Sequence, residues 1–218
     1  EEGGGGEGVR APHRRQDRAR RAARGVPGPR GPVGAGGSDR GARVTLSMGI
    51  VNGTPDSVGD GGRYIDPDVA IAHARSLRDQ GAGLLDIGGE STRPGSPAVP
   101  LDEELARVVP VVREAVRLGV PISVDTYKPE VMRAVLDLGA DIVNAIWALR
   151  RPGAIDAVAA HPQSGVCLMH MHRDPQTMQT APMEGDVVAQ VADFLRDRAA
   201  MLASRGIADM DVIRRVRV

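Results

Sequence analysis

The chain has 218 residues, enough for one domain with a sizeable core, and its 28 basic and 28 acidic side chains cancel. A neutral formal charge gives no general indication of nucleic acid or of an acidic surface as partner. The one cysteine, Cys167, excludes an internal disulfide and suits a reducing compartment, and no apolar run approaches the roughly 18 residues of a membrane helix.

Residues 1–43 differ in kind from the rest of the chain. They are rich in Gly, Pro and Arg and contain no Leu, Ile, Met, Phe, Tyr or Trp. Such a segment cannot bury enough apolar surface to offset its ordering entropy, so we predict a disordered or out-of-register leader. A basic arm that binds nucleic acid or an anionic surface is the less favoured alternative.

From residue 44 onward, short apolar runs end abruptly in polar residues, as buried strands do where they open into loops. The carboxyl ends of parallel strands share one edge of a sheet, where α/β proteins keep their binding groups. We therefore predict that the polar groups at these five strand ends share one rim. In chain order they are Asn52 with Asp56, Glu90 with Arg93, Asp125, Asn144, and His170.

Helical patterns separate the predicted strands. The first begins at Asp66-Pro67, a capping residue followed by proline, and the third begins at Lys128-Pro129 and ends at Gly139. The others cover about residues 100–119, 152–160 and 186–204. The continuously apolar strands are typical of a parallel sheet that is covered on both sides.

Repeated βα units indicate either a doubly wound sheet or a TIM barrel. No Gly-x-Gly-x-x-Gly follows the first strand, and polar residues end every strand, which favours the barrel. A barrel needs eight βα units and we count about five, so we predict an α/β fold, an incomplete TIM (β/α)8 barrel. We place the barrel unit at residues 44–206 and an aberrant C-terminal end at residues 207–218.

Asp125 and Asn144 end successive predicted strands and should face the same opening. A carboxylate is costly to bury unless it is paired or binds a polar ligand. A carboxylate beside an amide suits a heterocycle with adjacent N–H and ring-nitrogen groups. The alternatives are a helix N-cap for Asp125 and a turn residue for Asn144.

Two loops carry further candidates. Arg93, between Thr92 and Pro94, offers a guanidinium that binds phosphate or carboxylate, and the alternative is a structural pair with Glu90 or Asp86. The oxygen groups of Asn52, Asp56 and Asp60 lie in a Gly-rich loop and suit Mg²⁺ held together with a substrate phosphate. For Asp56, which follows a proline, turn chemistry is the alternative.

The His170-Met171-His172 sequence, with Cys167 nearby, suggests a zinc site at first sight. We reject that interpretation because Cys167 and His170 should point to opposite faces of one strand. No acid or distant histidine completes a ligand set either.

Several separate motifs, in this order, are similar to those of bacterial dihydropteroate synthase over about residues 44–206. They are residues 48–57 (Met-Gly-Ile-Val-Asn-Gly-Thr-Pro-Asp-Ser), 60–62 (Asp-Gly-Gly), 86–95 (Asp-Ile-Gly-Gly-Glu-Ser-Thr-Arg-Pro-Gly), 122–126 (Ile-Ser-Val-Asp-Thr), 167–171 (Cys-Leu-Met-His-Met) and 175–179 (Pro-Gln-Thr-Met-Gln).

This resemblance implies a TIM-barrel enzyme of cytoplasmic folate synthesis. Such an enzyme joins 6-hydroxymethyl-7,8-dihydropterin diphosphate to 4-aminobenzoate and releases pyrophosphate. It implies a homodimer that sulfonamides target, with small-molecule substrates and no nucleic-acid or membrane partner. By resemblance Asp125, Asn144 and Arg93 are catalytic, and Asn52 binds Mg²⁺. The substrate-binding residues are Asp125, Asn144 and the loop residues Thr92, Pro94, Asp56 and Asp60.

The sequence also departs from the family pattern. Gly53 replaces Val, Val58-Gly59 replaces Phe-Ser, and Ala145 replaces the Asp after the pterin Asn. The family's Asp-Pro-Gly segment, its Gly-Lys loop and its late Arg and His are absent, and Lys128 does not replace that lysine. We therefore expect a truncated synthase with little or no activity. The alternatives are a non-catalytic synthase remnant and a pterin-binding methyltransferase domain.

Overall fold

The computed structural model describes residues 46–52, 66–91, 96–172 and 183–207, and the backbone of residues 212–216. The predictions for the leader at residues 1–43 lie outside the described residues and stay predictions. In the described part of the chain, every helix lacks either the length or the apolar character that crossing a membrane requires.

Strands and helices alternate strictly along the described chain, and all strand pairs are parallel. The strands are β1 (Met48–Asn52), β2 (Leu84–Gly88), β3 (Ile122–Asp125), β4 (Ile142–Ala145), β5 (Gly165–His170) and β6 (Val212–Val216). The helices between them are α1 (Pro67–Asp79), α2 (Leu101–Ala115), α3 (Pro129–Leu138), α4 (Ala154–Ala159) and α5 (Val187–Ser204).

The spatial order of the strands is their chain order, β1 to β6. A doubly wound sheet reverses its strand order at a switch point, whereas a TIM barrel adds each strand beside the previous one. The order therefore confirms the barrel-type fold. Within the described residues the sheet is open, with β1 and β6 at its two edges.

The five predicted βα units are present, and a sixth strand follows them. Strand β6 pairs with β5 from Val166↔Val212 to His170↔Val216. The sequence-based boundary at residue 206 leaves this strand out of the barrel unit, so the pairing corrects that boundary. Residues 209–218 begin like a strand in the sequence, and residues 212–216 pair with the open edge of β5.

Helix termini follow the sequence signals closely. The Asp66 carboxylate accepts a hydrogen bond from the Asp68 N–H (2.9 Å), and Pro67 opens α1. Pro129 likewise opens α3, which ends at Gly139 with φ of 110°, a left-handed conformation that glycine adopts without strain. These observations confirm the predicted starts of both helices and the predicted end of α3.

The two faces of the sheet differ. Alternate residues along the strands pack against apolar side chains of all five helices, and we call this the outer face; its central row is Val51, Ile87, Val124, Val143 and Val166. On the opposite, inner face, Met48 and Ile50 of β1 are exposed. The sequence predicted a sheet covered on both sides, and within the described residues β1 is covered on its outer face only.

Candidate active site

One row of side chains crosses the inner face at the carboxyl ends of the strands. Asn52 pairs with Gly88, Gly88 with Asp125, Asp125 with Asn144, and Asn144 with Cys167. Register partners in parallel strands project to the same face, so Asn52, Asp125 and Asn144 share one edge of it. The predicted proximity of Asp125 and Asn144 is therefore confirmed.

Gly88 keeps the middle of this row open. A Cβ atom placed on Gly88 would lie 3.7 Å from the Asp125 Cβ and 3.8 Å from the Asn52 Oδ1. Because Gly88 has no side chain, this row carries no side-chain atom between Asn52 and Asp125. The row thus presents two amides and a carboxylate around a gap.

The carboxylate of Asp86 lies on the same inner face as this row, two residues before Gly88 in β2. Asn144 Nδ2 donates a hydrogen bond to Asp86 Oδ2 (3.0 Å), and both residues are buried. The sequence analysis considered Asp86 only as an alternative partner of Arg93. The signal that it missed was spacing: Asp86 precedes Gly88 by two residues in a buried strand, which places both on the inner face.

The alternative role of Asp125 as a helix cap is not what the structure shows. The N-cap position of α3 is Lys128, which makes no side-chain capping bond. Asp125 is the last residue of β3 and lies in register with Asn144. Asp125 therefore ends a strand and does not cap the helix.

A buried ion-pair cluster lies beside the site. The Lys128 ammonium binds Glu90 Oε2 (2.6 Å) and Glu104 Oε2. Tyr127 donates its hydroxyl proton to Glu90 Oε1 (2.8 Å), and Thr126 donates to Glu104 Oε1 (2.6 Å). Burial opposes the charge on Lys128, but its bonds to the two carboxylates outweigh burial and raise its pKa.

This cluster ties the segment that follows β2 to the segment that follows β3. Glu90 precedes the predicted anion-binding loop, and Ser96 Oγ donates to Ser91 Oγ (2.9 Å) across the base of that loop. Thr92, Arg93 and Pro94 lie outside the described residues, as do Asp56 and Asp60. Their assigned roles stay predictions.

His170 packs on the outer face. Its ring meets the Phe194 ring of α5 edge-on, with centroids 5.1 Å apart, whereas Cys167 packs with Leu84 and Ile142 on the inner face. The predicted opposite orientation of Cys167 and His170 is confirmed. Burial, with the charges of Arg150 and His172, lowers the pKa of His170. Although His170 ends β5, it turns away from Asp125 and Asn144.

An aromatic and cationic group stands near the same rim, and the sequence analysis missed it. The rings of Tyr127 and Trp147 stack with centroids 5.1 Å apart, and the Arg151 guanidinium lies 4.7 Å from the Tyr127 centroid. The turn after Trp147 holds Ala148 in a left-handed conformation (φ 47°), and Arg198 Nε donates to its carbonyl oxygen (2.8 Å). These contacts are between residues too distant in sequence for any motif to reveal.

The residues present fit a magnesium ion in part. The amide oxygen of Asn52 is the kind of ligand that Mg²⁺ takes, and this ion commonly keeps waters and uses one or two protein groups beside substrate phosphates. Among the described residues no group of three or more His, Cys, Asp or Glu side chains is arranged to hold a metal. Asn52 is thus suited to an ion that arrives with a phosphorylated substrate.

Residues 48–214 match the family model described as pterin binding enzyme. The match covers more than half of the chain, and the chain therefore belongs to the family of pterin-binding enzymes.

Within that family, the chain is similar to dihydropteroate synthases. It is 48% identical over 168 residues to that of Neisseria meningitidis serogroup B, covering 76% of this chain and 59% of the relative. It is 49% identical over 162 residues to that of Escherichia coli K12, covering 74% of this chain and 57% of the relative. The chain thus spans less than two thirds of the length of these relatives.

Solved structures of dihydropteroate synthases share the fold. That of Burkholderia cenocepacia, complexed with 7,8-dihydropteroate, matches with a TM-score of 0.68 and 53% identity over 78% of this chain and 57% of that chain. The structure from Xanthomonas albilineans with 4-aminobenzoic acid has a TM-score of 0.69 and 49% sequence identity. The match covers 78% of this chain and 60% of that chain. The structure from Yersinia pestis with a sulfonamide drug complex has a TM-score of 0.73 and 40% sequence identity. The match covers 81% of this chain and 66% of that chain.

Proposed function

We propose that this chain forms the pterin-binding part of a dihydropteroate synthase. The reaction joins 6-hydroxymethyl-7,8-dihydropterin diphosphate to 4-aminobenzoate and releases pyrophosphate, a step of folate biosynthesis. Family membership and the names of the relatives support this proposal. So do the ligands of the related structures, which include 7,8-dihydropteroate and 4-aminobenzoic acid.

The observation that carries the proposal is the Asp125–Asn144 register pair on the inner face. The Asp125 carboxylate accepts hydrogen bonds, and the Asn144 amide offers one acceptor and two donors. Together they match the N–H and ring-nitrogen edge of a pterin. The pair lies at the carboxyl ends of β3 and β4, the position where barrel enzymes bind their substrates.

The protein's part in the reaction is to position and to stabilise charge. Asp125 and Asn144 hold the ring, so that the carbon that bears the diphosphate faces the incoming amine. The pterin carbon–oxygen bond breaks, pyrophosphate leaves with the electron pair, and the amine nitrogen of 4-aminobenzoate then bonds to that carbon and loses a proton. Arg93 is assigned to the departing anion, because a guanidinium binds phosphate oxygens in pairs.

The two loops are assigned to the remaining substrate contacts. Thr92 and Pro94 flank Arg93, and Asp56 and Asp60 follow β1 in the chain, so both loops begin at the rim that carries Asp125. In this proposal they close over 4-aminobenzoate and the leaving group. We also propose that sulfonamides bind this chain, because the Yersinia pestis relative was solved with a sulfonamide drug complex.

Asn52 is assigned to Mg²⁺. Its position at the end of β1, across Gly88 from Asp125, supports this assignment, because the amide oxygen lies on the same edge of the sheet as the proposed pterin-binding pair. A bound magnesium ion supplies positive charge to the pyrophosphate that leaves. We further propose a cytoplasmic homodimer, in keeping with the family resemblance.

The test measures pterin binding and pyrophosphate release with the 218-residue chain and its Asp125→Asn variant. Because the chain spans 59% of the Neisseria relative, a chimera joins it to the remainder of that relative. We expect the chain to bind dihydropterin diphosphate and the chimera to release pyrophosphate. Asp125→Asn should weaken both. The sequence-based expectation that the chain alone shows little turnover is tested in parallel.

Two outcomes would overturn the proposal. One is a chain that does not bind dihydropterin diphosphate at any concentration tested. The other is a chimera that binds it and releases no pyrophosphate, which would instead support the methyltransferase-like or non-catalytic alternatives.

A further inference from the structure

We propose that Arg198 is a positioning residue that keeps the turn after β4 in its left-handed form, and that this turn holds the Asn144 end of β4 in the arrangement that binds the pterin. This inference rests on the proposed function and deepens it. It assigns a role to a side chain of α5, a helix that packs on the outer face of the sheet.

The turn begins at the last residue of β4 and is strained. The Ala148 N–H donates to the Ala145 carbonyl oxygen (2.8 Å), and Ala148 and Leu149 have φ angles of 47° and 56°. They are the two residues other than glycine that have a positive φ in the part of the chain that the structure describes. This conformation is unfavourable for a residue with a Cβ atom, so it persists where the surroundings hold it.

Two guanidinium groups bind successive carbonyl oxygens of this turn. Arg150 Nε donates to the Trp147 oxygen (3.1 Å), and Arg198 Nε donates to the Ala148 oxygen (2.8 Å). Ala148 is fully buried, so its carbonyl oxygen depends on a protein donor and not on water. Arg198 supplies that donor from 50 residues further along the chain.

The rest of the Arg198 guanidinium is poorly satisfied. Nη2 is buried without a hydrogen-bond partner among the described residues, and Nη1 donates to the Met201 sulfur (3.6 Å), a weak acceptor. Burial, together with the charge of Arg150, lowers the pKa of Arg198, so its positive charge is unfavourable where it lies. Such a group contributes little to stability, and its bond to the turn is the contact that accounts for its position.

The turn connects Arg198 to the candidate active site. Just before it, Ile146 packs with Met169 of β5, and the Trp147 ring stacks on Tyr127, which follows β3, with centroids 5.1 Å apart. The chain on leaving β4 thus contacts the carboxyl ends of both neighbouring strands. A turn that relaxed to a right-handed form would leave β4 in another direction and would change these contacts beside Asn144.

The experiment measures the affinity of the 218-residue chain for 6-hydroxymethyl-7,8-dihydropterin by titration calorimetry. Arg198→Met keeps a long side chain and removes its donors. In this variant only the molecules with a left-handed turn bind the ligand, so we expect the affinity to fall about tenfold. The urea midpoint should fall little, because the variant also loses a buried donor without a described partner and a charge near Arg150.

Two variants serve as controls. Arg196→Met removes an exposed arginine of the same helix, which pairs with Asp193, and should keep both the affinity and the urea midpoint. Arg198→Lys keeps a donor for the Ala148 oxygen and should recover most of the affinity. A role of the Arg198 side chain in packing alone predicts the opposite, because methionine would then replace it as well as lysine does.

Ala148→Gly tests whether Arg198 acts through the turn. Glycine adopts the left-handed conformation without strain, so the turn of this variant depends less on Arg198. Adding Arg198→Met to Ala148→Gly should therefore lower the affinity by a smaller factor than Arg198→Met does in the unaltered chain. Equal factors in the two backgrounds would overturn the proposal.

Fluorescence reports on the turn without any ligand. Trp147 is the one tryptophan among the 218 residues, and it is half-buried directly before Ala148. In Arg198→Met its emission should move to longer wavelength and acrylamide should quench it more strongly. In Arg196→Met both properties should stay as they are in the unaltered chain.

The outcomes separate this inference from the proposed function. If dihydropterin does not bind the unaltered chain, the proposed function fails and the inference fails with it. If dihydropterin binds and Arg198→Met keeps the affinity, the function stands and the role of Arg198 is wrong. A large fall in the urea midpoint, or an Arg198→Met chain that does not fold, would assign Arg198 to the stability of the fold and would also overturn the inference.

Discussion

Two largely buried polar clusters follow the carboxyl ends of the strands and differ in how completely their hydrogen bonds are satisfied. The ion-pair cluster consists of Glu90, Glu104, Thr126, Tyr127 and Lys128. All four oxygens of its two carboxylates accept a hydrogen bond from another member. The inner-face cluster consists of Asp86, Asp125 and Asn144, and there Asp86 Oδ1 has no partner among the described residues.

The difference separates two uses of buried polarity. Buried polar groups in native proteins are almost always satisfied, so a complete network holds the fold and an incomplete one indicates a ligand or a solvent contact. The ion-pair cluster joins β2, α2 and the start of α3. The inner-face cluster lies on the side of the sheet opposite the described helices, which pack on the outer face. Substitutions in the first cluster should lower stability, and those in the second should lower binding.

The largest expected effect is that of Lys128→Met. Removing the ammonium leaves the buried carboxylates of Glu90 and Glu104 without a cation, which should lower the free energy of unfolding by about 3–5 kcal/mol. Urea unfolding measures this loss. The control is Arg117→Met, which breaks an exposed pair with Glu114 (2.8 Å) and should cost less than about 1 kcal/mol. Equal losses would show that the ion-pair cluster does not stabilise the fold.

Asp125→Asn should affect binding more than stability. A lost hydrogen bond to a charged acceptor costs about 1.5–3 kcal/mol, so the affinity for dihydropterin should fall roughly 10- to 150-fold. The unfolding free energy should change by less than about 1 kcal/mol. Calorimetric titration and urea unfolding measure the two quantities. Asp102→Asn, an exposed acid in the first turn of α2, is the matched control and should keep the affinity.

Removing a hydroxyl should have different effects inside and outside the ion-pair cluster. Thr126 Oγ1 donates to Glu104 and accepts from the Lys128 N–H (3.2 Å), so Thr126→Val should cost about 1–3 kcal/mol of unfolding free energy. Ser123 Oγ is buried without a hydrogen-bond partner among the described residues, so Ser123→Ala should be neutral or stabilising by up to about 1 kcal/mol. Thermal unfolding of both variants decides the matter, and a larger loss for Ser123→Ala would contradict the comparison.

The smallest expected effect comes from His170, outside both clusters. Burial, Arg150 and His172 lower its pKa in the folded state, so the unfolded chain binds a proton more readily. Neutral His170 contributes its full stability above the ordinary histidine pKa of about 6.5. This contribution is lost as the pH falls through the lower pKa that His170 has in the folded state. We expect unfolding free energy to drop from pH 7.5 to 5.5 by less in His170→Gln than in the unaltered chain.

The control for the pH measurement is the exposed residue His73 of α1. His73→Gln should keep the full loss of stability between the two pH values. If His170→Gln shows that same loss, His170 does not account for the pH dependence.

The sequence alone determined the elements and the strand-end positions of Asp125 and Asn144. Asp66-Pro67, Lys128-Pro129 and Gly139 set helix ends because capping and left-handed turns depend on neighbours in the chain. Apolar runs that stop at Asp125 and Asn144 placed both residues at strand ends, and the chain order of the strands then brought them side by side. Interactions between residues that are near one another in the chain are enough to set these features.

Only the tertiary structure decided which distant groups meet. The partners of Lys128 lie 24 and 38 residues away in the chain, and those of Asn144 include Asp86, 58 residues away. Strand register and helix packing set these contacts, and a one-residue shift of a strand would turn every side chain to the other face. The same holds for β6: its sequence is strand-like, but its partner, the open edge of β5, is set by the tertiary structure.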